Sequence, residues 1–212
     1  MTSKNTLIIG TRGSALALAQ ADMVRAALSA LHPGLDIRRE IIRTTGDRRM
    51  DVPLADVARV SGIVDKGIFI KELETALLEG RIDVAVHSLK DVPSELAPEF
   101  RLPAVLPRAA AEDVLITKEP DWNGRGTLAT GSVRRRLMAR TYWGRQLRFE
   151  DLRGNVPTRL EKLVEHPEWD AVILAKAGLE RLGLYAPETV VQGRKLYMRP
   201  LPVEAFIPAV GQ

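Results

Sequence analysis

The chain of 212 residues is longer than an ordinary single domain and long enough for two domains of about 100 residues each. With 45% hydrophobic and 27% charged residues, its composition excludes a disordered, collagen-like or coiled-coil chain. Cysteine is absent and there are only three histidines, which argues against disulfides, thiol catalysis and a zinc site. No apolar run reaches the roughly 18–20 residues of a membrane span. We therefore expect a cytoplasmic protein without a metal.

The net charge of +4 is concentrated in one part of the chain. Residues 101–160 carry 12 basic and 6 acidic side chains, and arginine supplies 23 of the 31 cations of the whole chain. The planar guanidinium group favours bidentate pairing with carboxylate or phosphate. This excess predicts either a nucleic-acid surface or a pocket for a small polyanion.

The first half of the sequence alternates short apolar runs with helical patterns. These patterns predict strands at 7–10, 36–43 and 82–87, and helices at 14–31 and 68–79. Gly80 is a suitable C-terminal cap for the second helix. Four prolines between residues 93 and 107 then indicate a hinge or a crossing between domains.

The same alternation restarts after these prolines. Strands are predicted at 113–117, 127–130, 147–150 and 171–175, and helices at 132–143, 156–165 and 178–182. Two such runs predict an α/β protein with two lobes and mainly parallel sheets. A second proline-containing passage begins at residue 200, so we expect lobe 1 to comprise residues 1–105 plus 200–212 and lobe 2 to comprise 106–199. Residues 203–212 are expected to return to lobe 1 as a strand.

Three strand-to-helix junctions, at 11–14, 130–136 and 153–159, combine a possible helix cap with neighbouring arginines. Helix N-termini at the carboxyl ends of strands attract anions. Capping alone explains the hydroxyl and amide side chains, but arginine in a first turn opposes the helix dipole at roughly 0.3–1 kcal/mol each. The consecutive arginines at 134–136 therefore predict an anion that neutralises them. Solvated surface charge is the alternative, and it is the interpretation we favour for Arg136.

A fourth candidate follows the apolar strand at 82–87, which delivers His87, Ser88, Lys90 and Asp91 to its carboxyl end. An exposed turn is the simpler interpretation of this segment. Beside an anion pocket, however, a carboxylate can stabilise a cationic intermediate or transfer a proton. Lys66, which precedes a loop glycine and a predicted helix, is a fifth candidate because its ammonium could point back at a ligand.

These segments occur together in one known family. The matching stretches are TRGSALALAQ, TTGD, DKGIFIKELETALLEGRIDVAVHSLKDVP, ATGSVRRR, LRGNVPTRLEKL, DAVILAKAGLERLGL and IPAVGQ. They follow the order of that family and cover nearly the whole chain. The sequence resembles the porphobilinogen deaminase (hydroxymethylbilane synthase) family of tetrapyrrole biosynthesis.

The resemblance implies a fold and an activity. The family has three domains, of which the first two are like periplasmic binding proteins, with the active site in the cleft between these two lobes. The enzyme, a transferase, joins four porphobilinogen molecules into hydroxymethylbilane and releases ammonia at each addition. The product grows on a dipyrromethane cofactor attached to a cysteine of the third domain. We accordingly expect a cytoplasmic monomer that binds porphobilinogen and neither nucleic acid nor membrane.

The resemblance also implies roles for single residues. Asp91 matches the catalytic aspartate, which would bind the pyrrole N–H and stabilise the azafulvene cation left when ammonia departs. A further set is expected to bind the acetate and propionate groups of cofactor and substrate: Arg12, Ser14, Lys66, Ser88, Lys90, Thr130, Ser132, Arg134, Arg135, Arg153, Asn155, Arg159 and Arg181. No residue is expected to bind a metal.

The sequence departs from the family pattern at several places. The usual Lys-Val-Gly-Gly-Lys-Gly stretch is replaced by a longer segment at 56–67, and Pro157 stands where a small or acidic residue is usual. The sequence ends with the Ala-Val-Gly-Gln motif and has no cysteine, so we expect the third domain to be missing and the 212 residues to be inactive alone. The chain would then be either a fragment or a short paralogue.

Two other functions remain open at this point. A non-catalytic paralogue with two lobes would keep the arginines, bind a polycarboxylate and lack the chemistry. A nucleic-acid binder would use the basic segment, and its binding would weaken steeply with salt.

Overall fold

The computed structural model describes residues 5–44 and 70–212. The chain divides into two compact units, one formed by Met1–Pro107 together with Val210–Gln212 and the other by Arg108–Ala209. Lys66 and the altered segment at 56–67 lie outside the described residues. In the part of the chain that is described, no helix is long and apolar enough to cross a membrane.

The first unit contains a small parallel sheet. Its elements are β1 (Thr6–Thr11), α1 (Ala15–Leu31), β2 (Asp36–Ile41), α2 (Lys71–Leu78) and β3 (Val84–Ala85), and a 3-10 turn (Leu89–Asp91) follows β3. The strand order is β2-β1-β3. Both pairs are parallel, with Thr6 opposite Asp36 and Ile9 opposite Val84.

The core beside this sheet depends on a glycine in β1. Leu73 and Ala76 of α2 pack with Ile42 and Ile82. A Cβ atom at Gly10 would lie 2.2 Å from Cδ1 of Ile82 and 3.2 Å from Cδ2 of Leu73. The absence of a side chain at residue 10 therefore lets this core approach the strand that leads to Arg12.

The second unit is built on a larger, mixed sheet. Its elements are β4 (Asp113–Thr117), β5 (Gly126–Ala129), α3 (Val133–Trp143), β6 (Leu147–Glu150), α4 (Val156–Glu165), β7 (Ala171–Ala175), α5 (Lys176–Arg181), β8 (Glu188–Val191) and β9 (Arg194–Pro200). The strand order is β6-β5-β7-β4-β9-β8. β5 is parallel to β6 and β7, whereas β4 is antiparallel to β7 and β9, and β8 pairs antiparallel with β9.

This second sheet is covered on both faces. Val114 and Ile116 of β4 pack on one face with Leu163 of α4, while Leu115 packs on the other face with Phe206. Burial on both faces explains why the strand at 113–117 has no polar alternation. The fold is α/β, as predicted, with one parallel and one mixed sheet.

The structure differs from the sequence-based prediction near the C-terminus. β8 and β9 form a hairpin that the pattern did not predict, with positive φ angles at Gln192 (+47°) and Gly193 (+79°) in its turn. Residues 201–209 form no strand and belong to the second unit. The reason is burial, because Leu201 and Phe206 lie in the core of that unit. Residues 200–209 therefore differ from the expected assignment to lobe 1.

Candidate functional site

The carboxyl edge of the first sheet brings several predicted site residues together. Because β1, β2 and β3 are parallel, their carboxyl ends meet at one edge. Arg12 and Ser14 follow β1 there, and Ser88, Lys90 and Asp91 follow β3. The N–H of Val86 donates to the carbonyl of Gly10 at 2.9 Å, so the two strands stay paired up to this edge.

The turn that carries Asp91 is fixed by local hydrogen bonds. The amide of Asp91 donates to the carbonyl of Ser88 at 2.9 Å. The hydroxyl of Ser88 donates to Oε1 of Gln20 at 2.9 Å, which ties the turn to α1. Ser14 caps α1 by accepting a hydrogen bond from the amide of Ala17 at 3.3 Å. Ser14 and Ser88 thus hold the backbone on either side of the edge.

Three ionisable groups interact at this edge. Partial burial lowers the pKa of the His87 imidazole; the nearby carboxylate of Asp91 raises that pKa, the guanidinium of Arg12 lowers it, and the net direction is down. The imidazole is therefore neutral at neutral pH. Asp91 and Arg12 therefore each lie within electrostatic reach of His87. Asp91 and Lys90 are themselves half-buried.

Gly211 makes a contact with the Asp91 turn that the sequence did not reveal. Its φ angle is +81°, and a Cβ atom at this position would lie 2.8 Å from the carbonyl carbon of Leu89 and 2.9 Å from the nitrogen of Lys90. Glycine allows the backbone to pack directly on the peptide group between Leu89 and Lys90, in the turn that carries Asp91. The Ala-Val-Gly-Gln motif was the available signal, but its spacing does not show which segment it touches.

The second unit collects the arginines at one edge of its own sheet. The carboxyl ends of β5, β6 and β7 meet there, and the antiparallel β4 starts there, with Asp113 opposite Ala175. Helices α3, α4 and α5 all begin at this edge. Their N-terminal turns or the loops before them carry Thr130, Ser132, Arg134, Arg135, Arg153, Asn155 and Arg159.

The polar members of this group hold the helix starts. The hydroxyl of Ser132 accepts from the amide of Arg135 at 3.3 Å, and the buried Thr130 accepts from the amide of Ser132 at 3.2 Å. Oδ1 of Asn155 accepts from the amide of Thr158 at 3.0 Å. These three side chains act as helix caps or support a cap, which is the structural role that the sequence left open.

The arginines at 134–136 have internal acidic partners. Arg135 donates from Nη2 to Oδ1 of Asp113 at 2.7 Å and from Nε to Oδ2 at 3.2 Å. Arg134 donates from Nη2 to Oδ2 of the same carboxylate at 2.7 Å. Arg136, at the surface, pairs with Asp151. The anion predicted from the helix dipole is thus supplied by the protein itself.

Asp113 is the residue that sequence reasoning missed at this edge. It has no exposed surface. Burial alone would raise the pKa of its carboxyl group, but Arg135 and Arg134 outweigh burial and hold that pKa below its ordinary value of 3.8. Lys176, the first residue of α5, was missed too, and its Nζ lies 3.4 Å from Oε1 of Glu112. Their position at strand ends was the only signal in the sequence.

The three remaining arginines are held differently. Arg159 donates from Nε to the carbonyl of Gly154 at 2.7 Å, and the carbonyl of the half-buried Arg153 accepts from Nζ of Lys162 at 3.2 Å. Arg181 lies in the last turn of α5, away from the helix start. Its Nε is buried and, among the described residues, has no hydrogen-bond partner.

The structure thus places the predicted residues in two groups, one on each unit. In residues 5–44 and 70–212, no group of three or more His, Asp or Glu side chains could hold a metal ion. Carboxylate and imidazole at the first edge can act on a developing charge. The arginines and helix starts at the second edge are suited to anions.

Comparison with known proteins identifies the family. A family model described as "Porphobilinogen deaminase, dipyromethane cofactor binding domain" matches residues 7–212. The porphobilinogen deaminase of Nitratidesulfovibrio vulgaris is 43% identical over 211 residues, which are 97% of this chain and 61% of that protein. The porphobilinogen deaminase of Roseiflexus sp. is 44% identical over 214 residues, which are 99% of this chain and 65% of that protein. The chain therefore spans less than two thirds of the length of these relatives.

A likeness to solved structures is more distant. The methionine binding protein MetQ aligns with a TM-score of 0.40 and 11% identity, covering 98% of this chain and 88% of that one. At this TM-score the likeness carries no argument about function. The family model and the relatives agree over nearly the whole sequence, and the chain belongs to the porphobilinogen deaminase family.

Proposed function

We propose that this chain acts in tetrapyrrole biosynthesis, as the part of a hydroxymethylbilane synthase that binds porphobilinogen and promotes the loss of its ammonia. The complete enzyme, a transferase, would join four porphobilinogen molecules head to tail into hydroxymethylbilane. The observation that carries the proposal is the carboxylate of Asp91, held in a fixed turn within electrostatic reach of His87, in a chain of this family. We further propose a cytoplasmic monomer whose partner is porphobilinogen, without nucleic acid or membrane.

Asp91 would act on the charge that develops in the reaction. When the carbon–nitrogen bond of the protonated aminomethyl group of porphobilinogen breaks, the bonding electrons leave with ammonia, and the positive charge moves from the nitrogen to the pyrrole unit, which becomes an azafulvene cation. A carboxylate beside the pyrrole N–H stabilises the ring more after the positive charge has moved onto it than before, so it lowers the barrier rather than merely binding the substrate. The hydrogen bonds of the 88–91 turn hold Asp91 in place before the charge appears.

His87 would support this role by remaining neutral. Partial burial holds the pKa of its imidazole below the ordinary value of 6.5. A protonated imidazole beside Asp91 would neutralise part of the negative charge that the cation needs. A neutral imidazole leaves that charge available at neutral pH.

The residues of the second unit fit a dipyrromethane cofactor. Each pyrrole unit of the cofactor carries two carboxylates, and guanidinium groups bind carboxylates with directional hydrogen bonds. Arg134, Arg153 and Arg159 would bind these groups, and the buried Nε of Arg181 is a donor that a ligand oxygen could satisfy. When bound, the cofactor supplies the pyrrole carbon to which the first substrate unit is added.

The 212 residues contain no cysteine, so they offer no thiol for covalent attachment of this cofactor. We propose that the chain alone binds porphobilinogen without forming hydroxymethylbilane. Its intact mass should equal the sequence mass after incubation with porphobilinogen. A mass increment of one dipyrromethane unit, or formation of hydroxymethylbilane, would contradict this part of the proposal.

The role of Asp91 is tested in a chimera in which the remainder of the Nitratidesulfovibrio vulgaris relative is appended after Gln212. Asp91→Asn should leave porphobilinogen binding intact and slow ammonia release about a hundredfold or more, because the lost charge acts mainly in the transition state. Glu95→Gln changes a nearby acidic residue in the same way and should have little effect. Release by Asp91→Asn within about tenfold of the parent, roughly 1.4 kcal/mol of barrier, would refute the assignment. Porphobilinogen binding without ammonia release by the parent chimera would favour the non-catalytic polycarboxylate-binding paralogue.

A further inference from the structure

The buried carboxylate of Asp113 binds both Arg134 and Arg135. The family resemblance assigns the same role to these two arginines, the binding of ligand carboxylates. Asp113 begins β4 and is fully buried. Its oxygens accept two hydrogen bonds from Arg135 and one from Arg134. Two guanidinium groups and one carboxylate leave this cluster with a single net positive charge.

The two arginines use their N–H donors differently. A guanidinium group has five donors. Arg135 gives two to Asp113 and one, from Nη1, to the carbonyl of Ile173 at 2.9 Å, and the residue is only 6% exposed. Its donors therefore point into the core of the second unit. A charge held in this way is stable only while its partner is present, since removing one member of a buried pair leaves the other uncompensated.

Arg134 uses both of its terminal nitrogens, Nη1 and Nη2, in hydrogen bonds within the second unit. Its Nη1 donates to the carbonyl of Ile207 at 2.5 Å, and its Nη2 donates to Asp113 at 2.7 Å. Among the described residues its Nε has no acceptor. Its side chain is 22% exposed, compared with 7% for that of Arg135. The guanidinium plane is thus fixed, while the side chain stays partly exposed and its Nε has no acceptor among the described residues.

We propose that Asp113 is a positioning residue for two arginines. It holds Arg135 as a structural cation inside the second unit, and it orients Arg134. Of these two arginines, only Arg134 binds a ligand carboxylate. The ligand half of this inference rests on the proposed function, in which the carboxylate belongs to a pyrrole unit. The structural half rests only on the contacts of Asp113, Arg134 and Arg135.

The test measures stability and binding separately in the 212-residue chain. The variants are Asp113→Asn, Arg134→Gln and Arg135→Gln, with Asp151→Asn as the control because Asp151 is the exposed partner of Arg136. Urea unfolding gives the ratio of folded to unfolded protein, and calorimetric titration with porphobilinogen gives the dissociation constant.

Arg135→Gln should lower the ratio of folded to unfolded protein at least tenfold, because the buried carboxylate of Asp113 loses the charge and the two hydrogen bonds of Arg135. Arg134→Gln should change this ratio less than threefold and weaken porphobilinogen binding at least tenfold. Asp151→Asn should change neither quantity more than threefold. Equal losses of stability in the two arginine variants would overturn the division of roles, and so would unchanged binding by Arg134→Gln.

The Asp113→Asn variant tests whether Asp113 affects ligand binding by orienting Arg134 or only through its own negative charge. It raises the net charge of the cluster, so Coulomb attraction alone would tighten the binding of an anion. Positioning predicts the opposite sign, a dissociation constant at least tenfold larger, because Arg134 loses its fixed orientation. Tighter binding would therefore overturn the proposal. If this variant does not fold, the contrast between Arg134→Gln and Arg135→Gln still decides.

The failure of this inference can be told apart from the failure of the proposed function. If the parent chain does not bind porphobilinogen, the proposed function fails, and with it the ligand role of Arg134. The assignment of Asp113 and Arg135 is then decided by the unfolding midpoints alone. An Arg135→Gln variant as stable as the parent would overturn that assignment whether or not porphobilinogen binds.

Discussion

The two charged edges of this molecule are built in opposite ways. At the second sheet, Arg134 and Arg135 are joined to the core through the fully buried Asp113. At the first sheet, Asp91 is half-buried in a three-residue turn, which is held by a hydrogen bond from Ser88 to Gln20 and by the backbone contact of Gly211. Cations are thus oriented by ion pairs inside the fold, and the carboxylate is oriented by backbone geometry. Damage to the core should therefore disturb the arginines of the second sheet. Small backbone changes should disturb Asp91 at the first sheet.

The largest effect should follow from removing the aromatic ring of Phe206. This side chain is fully buried and precedes the residue whose carbonyl accepts a hydrogen bond from Arg134. Phe206→Ala should lower the free energy of unfolding by about 3–5 kcal/mol, measured by urea denaturation. The matched control is Ile207→Ala, because Ile207 is 60% exposed and its truncation should cost less than about 1 kcal/mol. Equal costs would mean that residues 201–209 do not belong to the second core.

A smaller effect is expected at the first edge from Gly211→Ala. The new Cβ atom would meet the backbone of Leu89 and Lys90, and the positive φ angle adds strain, so a cost of about 1–3 kcal/mol is expected in this segment. Hydrogen exchange of the Asp91 amide should accelerate at least tenfold as the turn shifts.

Gly183→Ala is the matched control for this change. Gly183 also has a positive φ angle, +66°, but a Cβ atom there would have no neighbour within 4 Å. This variant carries backbone strain without the clash and should leave exchange at Asp91 unchanged. The same acceleration in both variants would show that Gly211 does not support the turn.

The smallest effect concerns pH and His87. Its folded-state pKa is below the ordinary value of 6.5, so below pH 6.5 the unfolded chain binds protons more readily than the folded one. The free energy of unfolding should therefore decrease as pH falls from 6.5 toward the folded pKa, with no contribution from this group well above 6.5. His87→Gln should remove part of this slope, measured by denaturation between pH 7.5 and about 5. An unchanged slope in His87→Gln would show that burial of this imidazole does not contribute to the pH dependence.

Local signals predicted most elements of this fold. The buried strand β7 (Ala171–Ala175) was predicted with its observed bounds, because an apolar run bounded by polar residues identifies itself. Ser132 predicted the start of α3 because a hydroxyl residue before a helical pattern is a cap. The β8–β9 hairpin was not predicted, since its strands are partly exposed and mix charged with apolar residues, and since β9 pairs with the distant β4.

The candidate site was harder to predict for a related reason. The sequence placed charged residues correctly at strand ends, because parallel strands bring their carboxyl ends together. It did not show that Asp113 would pair with Arg135, which is 22 residues away in the chain and in another element. Nor did it show the approach of Gly211 to Leu89, because that contact depends on the path of the intervening chain. Pairings of this kind follow from tertiary packing and have no local pattern.

The order of synthesis determines when the backbone contact of Gly211 can form. Arg108–Ala209 is one continuous stretch, whereas the first unit is completed only by Val210–Gln212. A ribosome therefore finishes every residue of the second unit before it adds the glycine that supports the Asp91 turn. Translation that halts between residues 209 and 211 would release a chain with an intact arginine edge and an unsupported acidic turn.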